Sequence, residues 1–109
     1  MAKAVYVQIG ENLDYPNATE STIAAGELVK METRVGVAAS EILPGEVGAV
    51  CTTGVFRMPK TGTEEVKMGA LVYFDGTGIT NTAEKNTPAG YAAAAAAVAD
   101  TEILVKLMG

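Results

Sequence analysis

The chain has 109 residues, 49% of them apolar but with only four Tyr, two Phe and no Trp, which is enough for one domain with a thin core. Thirteen acidic residues against eight basic ones leave a net charge of −5, a balance that repels nucleic-acid phosphates and anionic membrane surfaces. With one cysteine and no histidine, an internal disulfide is impossible and the usual hydrolytic and zinc centres lose their parts.

The first twenty residues differ from the rest. "VYVQI", residues 5–9, alternates in the manner of a strand, and "GENLDYPNATEST" then carries Asn, Asp, Pro and Thr with no apolar period. Residues 1–20 read as an extended N-terminal arm, able to span about 65 Å at ~3.3 Å per residue. The competing reading makes "VYVQI" the first strand of the domain's own sheet. In the arm reading, Val5, Tyr6, Val7, Ile9, Leu13 and Tyr15 are the candidate contact residues, because an extended segment can add to an exposed sheet edge. Asn17-Ala18-Thr19 matches a glycosylation triplet, without meaning unless the chain is secreted. No charged-then-apolar leader opens the sequence, so a protein made and kept in a cytoplasm is expected.

Residues 21–109 read as one β domain with an approximate internal repeat. "GELVKM" from Gly26 is echoed by "GALVYF" from Gly69, and "GVAAS" from Gly36 by "GYAAA" from Gly90. Each of the second pair is followed by a turn and an apolar run, "VGAVCTTGVF" in one half and "ILVKLM" in the other. Within the first run Cys51 reads as a small buried hydrophobe, since no histidine can activate it. "GVFRMP" ends at Pro59, and "KTGTEEVKMG" beyond it is a polar loop in which Glu64 and Glu65 are solvated neighbours. "ALVYFDGTGITNT" is a hairpin turning at Asp75-Gly76, with neither the lysine of a phosphate loop nor the spaced carboxylates of a calcium loop.

The run 92–97, six alanines, carries the strongest local helix signal, with Thr87 placed as an N-cap and Pro88 in the first turn. The repeat overrides it. The first copy of this element is too short, and too closely followed by Pro44-Gly45, to hold a helix, so the alanine run is predicted to be extended. Asp100 and Glu102 then flank a turn before the last strand. The expected fold is all-β, a small barrel or sandwich with little or no helix.

The sequence "GELVKM…VGVAAS…LPGEVGAVCTTGVFRMPK…VKMGALVYFDGTGITNT…AGYAAAAAAVADTEILVKLMG" resembles the capsid cement, or decoration, proteins of tailed phages, a family long described as recombinase-like. The resemblance implies a structural virion protein that binds the outside of the phage head, contacts the major capsid protein and stabilises its lattice. It also implies a homotrimer, no cofactor and no catalysis. The lack of a phosphate loop and the acidic balance argue against the recombinase description. An adhesion or carbohydrate-binding surface module of the virion is the alternative, although the chain offers no tryptophan platform for sugars.

Overall fold

The computed structural model describes residues 2–108. Nine strands and no helix form among them: β1 (Asn12–Pro16), β2 (Leu28–Met31), β3 (Arg34–Ala38), β4 (Val47–Cys51), β5 (Thr53–Pro59), β6 (Leu71–Phe74), β7 (Ile79–Thr80), β8 (Thr87–Ala92) and β9 (Glu102–Met108). They make two antiparallel sheets, ordered β1-β4-β3-β2 and β5-β9-β8-β6-β7. The all-β expectation holds in its sandwich-like form; the sheets do not close into a barrel.

The two sheets are two copies of one plan, since β5, β9, β8 and β6 follow the order of β1, β4, β3 and β2. The loops repeat as faithfully. Ile23 and Ile42 exchange backbone hydrogen bonds of 2.9 and 2.8 Å across an isolated bridge, and Val66 and Ala96 do the same at 2.9 and 2.8 Å. Gly26 donates to the Ala38 carbonyl and Gly69 to that of Ala92, both at 2.8 Å. These two glycines, with φ of 87° and 88°, occupy the left-handed turn conformation that only glycine adopts without strain. That conformation explains why the glycines mark the repeat in the sequence.

The repeat begins earlier than the sequence suggests. β1 pairs with β4 from Asn12↔Cys51 to Pro16↔Val47, as β5 pairs with β9 from Thr53↔Met108 to Pro59↔Glu102. Asn12–Pro16 therefore lies within the first repeat although it falls inside the 1–20 arm. "NLDYP" and "TGVFRMP" share little besides the terminal proline, and polar residues at 12 and 14 hide the strand because both are exposed.

Each repeat packs its own core. In the first, Val29, Ala38, Ile42 and Val50 are buried, with Tyr15, Ile23 and Met31 packed against them. The equivalent Val72, Ala92, Ala96, Val105, Met58 and Val66 lie in the larger cluster, which also takes in Val35 and Val37 of β3. β3 is consequently buried on both faces.

The alanine run is not a helix, but neither is it one extended strand. β8 ends at Ala92, the chain bends at Ala93 and Ala94, and Ala96 returns for the bridge to Val66. The prediction of a continuous strand is corrected here. The bend is set by the loop hydrogen bonds: Ala93 donates to the Leu104 carbonyl at 2.8 Å, and Asp100 Oδ2 accepts from the Ala97 N–H at 2.8 Å. The predicted hairpin forms as β6-β7, with Phe74 opposite Ile79.

Candidate interaction surface

The arm residues divide into two groups. Residues 2–9 form neither helix nor strand and are exposed throughout, Val5 at 85%, Tyr6 at 79%, Val7 at 84% and Ile9 at 70%. "VYVQI" is therefore not a strand of the domain's own sheet. Leu13, by contrast, sits on β1 opposite Val50 and is half exposed, while Tyr15 sits opposite Gly48 and packs on the first repeat's core.

A built joint separates the groups. Gly10 and Glu11 form a turn, and buried Thr52 holds it, its hydroxyl donating to the Gly10 carbonyl at 2.7 Å and to the Glu11 carbonyl at 3.1 Å. The Thr52 N–H also donates to Glu11 at 2.8 Å. Four large apolar side chains thus project from a fixed point into solvent.

Asn17 belongs to the core rather than to any modification signal. It is 1% exposed. Its Nδ2 donates to the carbonyls of Ser21 (2.8 Å) and Ile42 (3.0 Å), and its Oδ1 accepts from the N–H (3.0 Å) and hydroxyl (2.6 Å) of Thr19. Lys60 takes the equivalent place after β5, buried with Nζ donating to the Gly62 carbonyl at 2.7 Å.

A second surface was not among the sequence candidates. Cross-strand pairs Leu71↔Tyr91, Tyr91↔Lys106 and Lys106↔Val55 run as a row across the second sheet. Val55 and Leu71 at its ends are each 54% exposed. Lys106 Nζ lies 6.0 Å from the centroid of the Tyr91 ring, at the limit of a cation–π contact. Lys106 was the available signal: it marks the outward side of β9, which also carries Leu104 and Met108, while Ile103, Val105 and Leu107 are buried.

Of the acidic residues weighed as candidates, Asp75 and Asp100 act in turns. Asp75 accepts from the N–H groups of Thr77 and Gly78, both at 2.9 Å, and from the Thr61 hydroxyl at 2.6 Å. The Thr61 bond leads these effects and holds the Asp75 carboxyl down at about 2. Glu64 accepts from Asn81 at 3.2 Å, and half-buried Cys51 lines an apolar groove of about 500 Å³ with Leu28, Val37, Phe56 and Met58. Among the described residues no three His, Cys, Asp or Glu side chains gather as metal ligands, and no helix is long and apolar enough to cross a membrane.

The geometry is that of a duplicated β domain whose distinctive features lie on its surface. A family model described as phage cement protein matches residues 7–107, and the chain belongs to that family. Membership points to a structural, capsid-stabilising role. No curated protein and no solved structure matches the chain significantly.

Proposed function

We propose that this protein cements the phage head from outside, binding the major capsid protein as a homotrimer and stabilising the assembled lattice. The observation that carries the reading is family membership over nearly the whole chain, joined to an apolar arm standing free of its own domain. Val5, Tyr6, Val7 and Ile9 are the residues with which the arm contacts the capsid or a neighbouring subunit, with Leu13 and Tyr15 fixing its base. Ordering such a segment costs on the order of 1–2 kcal/mol per residue. Only a long contact with paired backbone and buried side chains offsets that cost.

Synthesis in the host cytoplasm and final residence on the outer capsid surface complete the reading. Cosedimentation with empty phage heads tests it. The full chain should pellet with the heads, and a chain lacking residues 2–9 should pellet less at equal concentration. Equal pelleting of both chains would remove the arm from the contact, and no pelleting of either would remove the cement role.

A further inference from the structure

The two repeats differ at one edge. In the second sheet the outer edge of β6 is covered by β7, with Tyr73↔Thr80 and Phe74↔Ile79 paired. Ile79 is 1% exposed within the core, and its carbonyl accepts from the N–H groups of Thr61 (2.9 Å) and Gly62 (3.3 Å) just beyond β5. This short strand therefore ties the β6 edge to the end of β5.

Among the described residues the first sheet has no such strand. β2, the counterpart of β6, ends its sheet and pairs only with β3 among the described residues. The Ala38 N–H donates to the Glu27 carbonyl. Bonding alternates along an antiparallel pair, so Val29 and Met31 also face β3, and the N–H and C=O of Leu28 and Lys30 face outward. Lys30 is the counterpart of Tyr73, the residue that β7 engages. Met31, counterpart of Phe74, is only partly buried and has no apolar neighbour in the role of Ile79.

We propose that the arm of a second copy of this chain occupies this edge. It would lie beside β2 as β7 lies beside β6, with Val5, Val7 or Ile9 seated next to Met31. The arm supplies what the site lacks: an unpaired backbone and alternate apolar side chains, all exposed in its own subunit.

A chain's own arm is badly placed to do this. β7 sits near residues 61 and 62, beyond the C-terminal end of β5, so the equivalent place lies beyond the C-terminal end of β1. The arm leaves β1 at its N-terminal end. Running back along five strand residues uses ~16 Å of the ~26 Å that eight residues span, leaving too little to reverse and pair. A contact from arm to neighbouring edge is head-to-tail, and it satisfies every subunit only when the ring closes. That agrees with the proposed trimer but does not depend on capsid binding.

Amide hydrogen exchange tests the site. In the full chain the Leu28 and Lys30 amides, together with those of residues 5–9, should slow at least about tenfold as protein concentration rises. A chain lacking residues 2–9 should lose this protection and regain it when a peptide of residues 2–9 is added in excess. Fast exchange at every concentration would overturn the proposal. Protection retained at concentrations where the chain sediments as a monomer would assign the edge to the chain's own arm, and would overturn it equally. Protection that appears only with empty heads would give the edge to the capsid, overturning the proposal while leaving the cement role standing.

Discussion

Ile42 lies against Gly48 so closely that a Cβ on Gly48 would fall on the Ile42 side chain. The equivalent pair in the second repeat is Ala96 and Ile103, both buried, so the large and small residues have exchanged places. Two versions of one plan therefore fill similar space with opposite partners, which close packing makes necessary. Ala96→Ile should overpack the second repeat and cost roughly 1–3 kcal/mol, whereas Ala95→Leu, at an exposed position, should be neutral within about 0.5 kcal/mol. Urea denaturation of the two variants checks this.

Gly90 in β8 and Gly36 in β3 are also equivalents, each facing a carbonyl of the neighbouring strand. A Cβ on Gly90 would fall on the Lys106 carbonyl oxygen, and its φ is 156°; a Cβ on Gly36 would stand 3.1 Å from the Cys51 oxygen and 3.1 Å from the flexible end of Met31. Gly90→Ala should cost more than about 3 kcal/mol because only backbone can yield. Gly36→Ala should cost about 1 kcal/mol, since Met31 can move. Thermal unfolding of the pair should preserve that order.

Asn17 shows where the sequence is opaque. Its triplet reads as a surface signal, and nothing local announces that its side chain is buried and ties exposed Thr19 and Ser21 to the buried Ile42. The partners are set by the fold of the 17–23 loop, which the sequence does not display. Asn17→Ala removes one of the two donors to each of the Ile42 and Ser21 carbonyls and the acceptor of the Thr19 N–H, and should cost roughly 1–2 kcal/mol. Deleting residues 2–9 should leave the unfolding midpoint of the dilute, monomeric chain unchanged, because those residues touch no core of their own subunit. Calorimetry of both variants tests the boundary between arm and domain.

What was legible followed from backbone geometry. Gly26 and Gly69 stood out because a positive φ restricts their positions to glycine, and Asp75-Gly76 because a tight turn needs them. The alanine run misled in both directions. Its helix propensity was overridden by the bridge from Ala96 to Val66, and the same bridge bends the chain out of the continuous strand that the repeat suggested. β1 escaped notice because its outward side chains are polar, and the open β2 edge could not be seen without the pairing of β6 and β7.

The Asp75 turn predicts a pH dependence. Its carboxyl falls from 3.8 to about 2 in the folded protein, chiefly through the Thr61 hydroxyl. The ionised form is thus favoured by folding, so the stabilisation is fully present above about pH 4 and is lost as pH falls through 2. Solvent exposure of the turn keeps the contribution small. Thr61→Val should raise the Asp75 pKa toward the ordinary aspartate value, as followed by the carboxyl carbon shift in an NMR titration.

The cement role is tested most directly by scanning calorimetry of expanded empty heads with and without the protein. Saturating protein should move the disruption of the capsid lattice to higher temperature, because a ligand that binds only the assembled state stabilises it by mass action. An unchanged transition in the presence of protein that is demonstrably bound to the heads would contradict the account.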